Sequence, residues 1–172
     1  LQGIDTVVLE QHSREYVLGR IRAGVLEHGF AKLMREAQVA ERMDREGEIH
    51  DGFFIAHDGI KERVDLKGLT GGNSVVVYGQ TELTRDLYDG RERLGGVVIH
   101  NAEDVKPHDL ESAHPYLTYR KGDEVERIDC DYIIGCDGFH GVSRKSIPKD
   151  KITEFERVYP FGWLGVLSRT KP

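Results

Sequence analysis

Glu10 closes the run Thr6-Val7-Val8-Leu9, and a carboxylate at the tip of such a strand can accept hydrogen bonds from ribose hydroxyls. In dinucleotide-binding folds that carboxylate follows a glycine-rich turn by about 20 residues, so the turn is expected before Leu1. Farther on, Gly19-Arg20-Ile21-Arg22-Ala23-Gly24-Val25 sets two guanidiniums among small residues ahead of an apolar-periodic segment. Arginine offers planar, charge-assisted donors to phosphate, and a helix starting there adds backbone N–H groups and a favourable dipole. Val77-Tyr78-Gly79-Gln80-Thr81 places an amide side chain where a strand runs into a helix, the edge at which open α/β sheets bind ligands. Gly135-Cys136-Asp137-Gly138-Phe139-His140-Gly141-Val142-Ser143-Arg144 brings a carboxylate to a glycine-flanked turn, with His140 and Arg144 available for phosphate. Each set has a plainer alternative: a solvated strand end at Glu10, exposed surface arginines, a turn cap at Gln80, a tight turn at Asp137.

Other chemistries lack support. Ser143 is not in a Gly-x-Ser-x-Gly elbow, and Glu154 and Glu156 fit a solvated edge of period two. The eight histidines include no His-x-x-x-His pair and no grouping with cysteine, so no metal is expected. Cys130 and Cys136 flank a strand-like run that would hold them roughly 20 Å apart, so both are expected as thiols. With a formal charge of -6 and no cluster of basic residues, the 172-residue chain has no electrostatic case for nucleic acid. Its apolar runs are far shorter than the roughly 18 residues of a membrane span, and no leader is visible, so a soluble, cytoplasmic protein is expected.

The elements that would carry these residues alternate. Residues 5–10 read as a parallel strand. Val25, Leu26, Phe30, Leu33, Met34 and Ala37 recur at spacings of three and four and predict an amphipathic helix over residues 23–37. Strand-like runs at 53–56 and 60–64 flank His57-Asp58-Gly59, a hairpin signal. Residues 75–78 predict a strand and 81–94 a helix with Leu83, Leu87 and Leu94 on one face. Further strands are expected at 97–100, 116–120 and 124–128, and a buried strand at 132–135 leading into Cys136-Asp137-Gly138. The fold class expected is α/β with an antiparallel β insertion.

Four segments resemble the single-component FAD-dependent aromatic hydroxylases: RIRAGVLE at 20–27, VYGQTELTRDL at 77–87, GCDGFHGVSR at 135–144 and ERVYPFGWLG at 156–165. Gly-Cys-Asp-Gly marks the broad family, while Phe139-His140-Gly141 and Tyr-Pro-Phe-Gly-Trp narrow the likeness to members that hydroxylate 4-hydroxybenzoate. The resemblance implies an incomplete Rossmann-like FAD-binding domain over residues 1–172, open at both ends and running into the start of a substrate domain at about 155–172. It implies FAD held by Glu10 at the adenosine ribose, by Arg20, Ile21, Arg22, Ala23, Gly24 and Val25 along the diphosphate and ribityl chain, and by Gln80. Arg22 would contact the diphosphate, and Arg20 would move with the flavin. Asp137 would lie near FAD and the nicotinamide cofactor, and His140 would contact the latter's phosphates. The implied reaction takes 4-hydroxybenzoate, oxygen and NADPH or NADH to 3,4-dihydroxybenzoate and water in a homodimer. The groups that bind and deprotonate the phenol would lie beyond Pro172, so no catalytic residue is expected within the chain. Gln11, where NADPH-preferring members have arginine, is a poorer partner for a 2′-phosphate, so NADH is expected to be accepted. The alternatives are a related hydroxylase for another phenol, separated by product identity, and a non-catalytic nucleotide-binding module, which would bind flavin but ignore NAD(P)H.

Overall fold

A computed structural model describes residues 3–20, 22 and 24–166. Strand β1 (Val7–Glu10) leads through Ser13, whose Oγ accepts the Tyr16 N–H at 3.1 Å, into helix α1 (Arg14–Gly19). Residues 24–37, expected as most of one helix, form a two-residue strand β2 (Val25–Leu26) followed by helix α2 (His28–Glu36). Helix α3 (Glu41–Glu46), strand β3 (Glu48–His50) and the hairpin of β4 (Gly52–His57) with β5 (Ile60–Asp65) come next. The short helix α4 (Leu66–Leu69) precedes strand β6 (Val75–Val77), helix α5 (Gln80–Arg93) and strand β7 (Val97–His100).

The helix expected over 23–37 yields to pairing. β6 lies between β2 and β3, antiparallel to both, and Val25 and Leu26 pair with Val77 and Val76. Pairing claims the backbone that a helix would need, and β-branched Val25 fits a strand. The apolar spacing still serves one core, because Leu26 from the strand and Ala31 and Met34 from α2 pack with Met43, Val76, Tyr78 and Leu83. Phe30 and Leu33, expected on the same face, stay exposed. The predicted hairpin is present, with Asp58 at φ 48° and Gly59 at φ 78°, the paired left-handed conformations that a two-residue turn of this hand requires.

Helix α5 is anchored on two sides. From α3, Arg42 donates to Asp86 Oδ1 through Nε at 3.0 Å and Nη2 at 2.5 Å, and also pairs with Glu82. The Tyr78 hydroxyl donates to Asp86 Oδ2 at 2.6 Å. Burial, and then the adjoining carboxylate, push that phenol far above its usual range, so it stays a donor. At the far end, Arg91 donates to Thr6 Oγ1 at 2.9 Å, to the Thr6 carbonyl and to the Val97 carbonyl at 3.1 Å, which ties α5 to the parallel pair β1–β7. Of the leucines expected on the inner face of α5, Leu83 is buried while Leu87 and Leu94 are exposed.

Beyond β7, strands β8 (Glu103–His108), β9 (Tyr116–Lys121) and β10 (Glu124–Asp129) form a three-stranded sheet in the order β10-β9-β8. The chain divides into two compact units, residues 1–104 with 119–126 and residues 105–118 with 127–172. In the first, the buried Tyr119 hydroxyl donates to Glu126, and burial together with that carboxylate pushes its pKa up to about 12. In the second, His108 stacks on Tyr116 at 4.6 Å, and Arg127 lies 3.6 Å over the same tyrosine ring. The buried strand expected at 132–135 is absent. Tyr132 and Ile134 are 87% and 81% exposed, and the run makes no strand pairing among the described residues, without which a strand has no ladder. Helix α6 (Val142–Lys145) and a 3₁₀ turn (Lys149–Lys151) follow. No described helix is long and apolar enough to cross a membrane.

The shared use of Asp86 sets an order of stability losses. Tyr78→Phe removes one hydrogen bond and leaves the carboxylate on Arg42, an expected cost of about 1 kcal/mol. Asp86→Ala leaves the Tyr78 hydroxyl without its acceptor and Arg42 with Glu82 alone, an expected cost of about 2 kcal/mol. Urea unfolding midpoints at unchanged slope measure both.

Candidate functional site

The tip of β1, helix α1, the segment after it and the first turn of α5 line one open pocket, bounded by Glu10, His12, Tyr16, Val17, Arg20, Arg22, Gln80, Thr81 and Thr84. Its polar groups divide by charge. At one end the half-buried Glu10 carboxylate accepts the His12 N–H through Oε1 at 2.9 Å. Among the described residues, Oε2 receives no hydrogen bond from the protein. Toward α5 stand Arg20 and Arg22, both exposed and, among the described residues, outside any ion pair. The Arg20 guanidinium sits 5.6 Å from the Tyr16 ring centroid, and its carbonyl accepts from Thr81 Oγ1 at 3.3 Å. This bond joins the arginine segment to α5.

A close backbone approach fixes that junction. The Gly24 carbonyl accepts the Tyr78 N–H at 2.9 Å, and a Cβ on Gly24 would come within 1.8 Å of the Tyr78 carbonyl oxygen, so only glycine allows it. Gly79, the N-cap of α5, has no side chain to satisfy the first N–H groups of the helix, and a Cβ there would meet nothing within 4 Å. These donors and two guanidiniums suit a group of opposite charge, and the carboxylate at the other end suits hydroxyl donors. The helix terminus differs from the expected one. The arginine segment leads into β2, so the N-terminus beside it belongs to α5 and not to the helix over 28–36.

The structure thus places Glu10, Arg20, Arg22 and Gln80 around one pocket. Gly24 supports it from behind, and Val25 pairs with Val77 in the sheet and does not line it. Ile21 and Ala23 lie outside the described residues. The expectations did not include His12, Tyr16, Val17, Thr81 or Thr84. Three of these, His12, Tyr16 and Val17, were hidden because α1 is short and buries no residue, leaving Ser13 as its one sequence signal.

Asp137 and His140 belong to the second unit. The Asp137 carboxylate accepts the Ser143 N–H through Oδ2 at 2.9 Å, and this bond first of all holds its pKa below the usual carboxylate value. Gly138 takes φ 72°, and a Cβ on Gly141 would fall 2.1 Å from the Asp137 Cγ. The glycines let the loop close on its own carboxylate. His140 is exposed and edge-on to Phe139, while Arg144 lies over Phe139 and donates to Glu154 Oε1 at 2.8 Å.

All of the chain, residues 1–172, matches the family model described as FAD binding domain. It is 48% identical over 170 residues to p-hydroxybenzoate hydroxylase of Acinetobacter baylyi (strain ATCC 33305 / BD413 / ADP1), a match covering 99% of this chain and 42% of that protein. The chain therefore spans less than half the length of this curated relative. Among solved structures it is similar to CmlS, a flavin-dependent halogenase, with a TM-score of 0.65 and 22% identity over 83% of this chain and 26% of that one. It is also similar to p-nitrophenol 4-monooxygenase PnpA from Pseudomonas putida DLL-E4, with a TM-score of 0.61 and 14% identity over 76% of this chain and 34% of that one. Identities this low speak for the fold alone.

The depressed pKa of Asp137 gives a pH dependence of definite sign. Its contribution to holding the loop is fully present above the unfolded carboxylate value, about 3.9, and is lost as pH falls through the lower folded value. Amide exchange at Ser143, corrected for intrinsic rate, is expected to stay protected at neutral pH and to lose protection only in that acid range. In Asp137→Asn it is expected to be weakly protected at every pH.

Proposed function

The chain belongs to the FAD-binding domain family, and from that premise we propose that it is the cofactor-holding part of a flavin-dependent monooxygenase converting 4-hydroxybenzoate to 3,4-dihydroxybenzoate. The overall change consumes one phenol, one NAD(P)H, one proton and one O₂, and yields the catechol, NAD(P)⁺ and water. The observation that carries this reading is the pocket that sets the Glu10 carboxylate, two guanidiniums outside any ion pair among the described residues, and the first turn of α5 around one space. Nearly half identity to p-hydroxybenzoate hydroxylase over 170 residues supports the substrate.

The donor set fits FAD. Glu10 Oε2 accepts a ribose hydroxyl, Arg20, Arg22 and the uncapped N–H groups of α5 receive the diphosphate, and the half-buried Gln80 side chain hydrogen-bonds beside them. When bound, FAD supplies the hydride acceptance and oxygen activation that no side chain provides. The protein's own work in this part is to bind, orient and neutralise charge. In this reading Arg20, whose backbone is held by Val17 and Thr81 while its guanidinium makes only a loose contact with Tyr16 among the described residues, has a side chain free to follow the flavin. His140, exposed in the second unit, takes a nicotinamide cofactor phosphate. Gln11, a neutral amide directly after Glu10, offers no cation to a 2′-phosphate, so NADH is accepted. Residues 155–172 begin the substrate half of a longer homodimeric protein.

The test is NADH and NADPH oxidation by the whole natural protein that carries these residues, supplied with FAD, with and without 4-hydroxybenzoate, and with products separated by chromatography. Oxidation stimulated by 4-hydroxybenzoate and yielding 3,4-dihydroxybenzoate is expected. Stimulation by a different phenol alone would refute the substrate, and flavin binding without oxidation of either nucleotide would refute the activity.

A further inference from the structure

We propose that His100, Asn101 and Ala102 are positioning residues for the Glu10 carboxylate, forming a clamp that holds the Glu10–His12 turn in the shape that accepts a ribose. The proposal rests on the reading of Glu10 as the ribose acceptor and adds what sets its geometry.

Strands β1 and β7 end in register, with Glu10 opposite His100. Past that point β1 curls so that Glu10 Oε1 meets the His12 N–H at 2.9 Å. On its own, a bond across two residues at an exposed strand tip would compete with water and with other rotamers of a long side chain. Three groups from the end of β7 close on the curl from outside. The His12 carbonyl accepts His100 Nδ1 at 3.2 Å and the Asn101 N–H at 3.4 Å, and the Glu10 carbonyl accepts the Ala102 N–H at 3.0 Å. A carbonyl only accepts, so Nδ1 carries the proton whether the ring is neutral or cationic.

The residue types suit the task. Asn101 takes φ 57°, a left-handed conformation that asparagine tolerates better than most residues, and the turn it makes aims two successive N–H groups at the end of β1 and the curl after it. Ala102 is 1% exposed, so a larger side chain would push its N–H away from Glu10. Tyr88 on α5 meets the His100 ring edge-on with centroids 5.3 Å apart and fixes its plane. The clamp orders the turn before a ligand arrives, so binding need not supply that ordering.

The experiment titrates FAD into the apo form of the whole natural protein by flavin fluorescence quenching, for wild type, Glu10→Gln, His100→Phe, His100→Asn and the double variant Glu10→Gln/His100→Phe. Phenylalanine keeps the ring against Tyr88 and deletes Nδ1, whereas the asparagine Nδ2 stands at the same bond count from the backbone and can donate. Glu10→Gln is expected to weaken binding about tenfold or more, and His100→Phe about fivefold. His100→Asn should return to within about twofold of wild type, and the double variant should be no weaker than Glu10→Gln alone, as coupled sites require. Wild-type affinity in His100→Phe, or losses that multiply in the double variant, would overturn the clamp while leaving Glu10 as the ribose acceptor. Wild-type affinity in Glu10→Gln would overturn the ribose reading and the clamp with it.

Discussion

The meeting of Gly24 with Tyr78 is the contact on which the rest of the pocket depends. It brings two backbones so close that a single added carbon would lie 1.8 Å from a carbonyl oxygen, and it does so where β2 joins β6. Because β6 runs directly into α5, that one approach sets the arginine segment beside the helix N-terminus. The proposed phosphate site draws on both the charges of Arg20 and Arg22 and the aligned N–H groups of α5, and neither lies near the other in sequence. Glycine at residue 24 is thus a steric requirement of the site, not a matter of chain flexibility.

A second layer keeps α5 where that contact needs it. Asp86 joins α3, α5 and the end of β6 through Arg42 and Tyr78, and Arg91 fastens the other end of the helix to β1 and β7. The same helix therefore sets both ends of the pocket: its first turn faces the arginines, and its Tyr88 steadies the ring of His100 behind Glu10. Rigid elements carry the bond network, while Arg20 and Arg22 remain exposed at the rim. The buried apolar core is modest beside this network, being confined largely to Leu26, Met34, Met43, Val76, Tyr78 and Leu83 with two alanines.

Much of this was legible in the sequence where local chemistry and tertiary structure agree. Asp58-Gly59 announces its hairpin because few other pairs adopt two left-handed residues in succession, and the strand at 75–77 with the helix after it follows from a β-branched run ending at glycine. Glu10, Arg20, Arg22 and Gln80 stand out as polar groups at the ends of apolar segments. Residues 23–37 misled because Leu26, Ala31 and Met34 share one core whether the first is reached by strand or helix, so apolar spacing alone does not separate the two. Helix α1, with no buried residue, carries no such spacing, and with it His12, Tyr16 and Val17 escaped notice. The apolar run at 132–135 looked buried, yet burial is a property of neighbours and not of composition. The glycines around Asp137 mark a tight turn in the sequence, but they do not show that its carboxylate accepts the Ser143 N–H of the same loop.

The central claim is that FAD lies along the tip of β1, the arginine segment and the first turn of α5. Amide hydrogen exchange of the whole natural protein, followed by mass spectrometry with and without FAD, tests it most directly. The account predicts that added FAD slows exchange at residues 10–12, 20–24 and 79–84, with little change in the β4–β5 hairpin. Slowing confined to other segments, or none in these three, would contradict it.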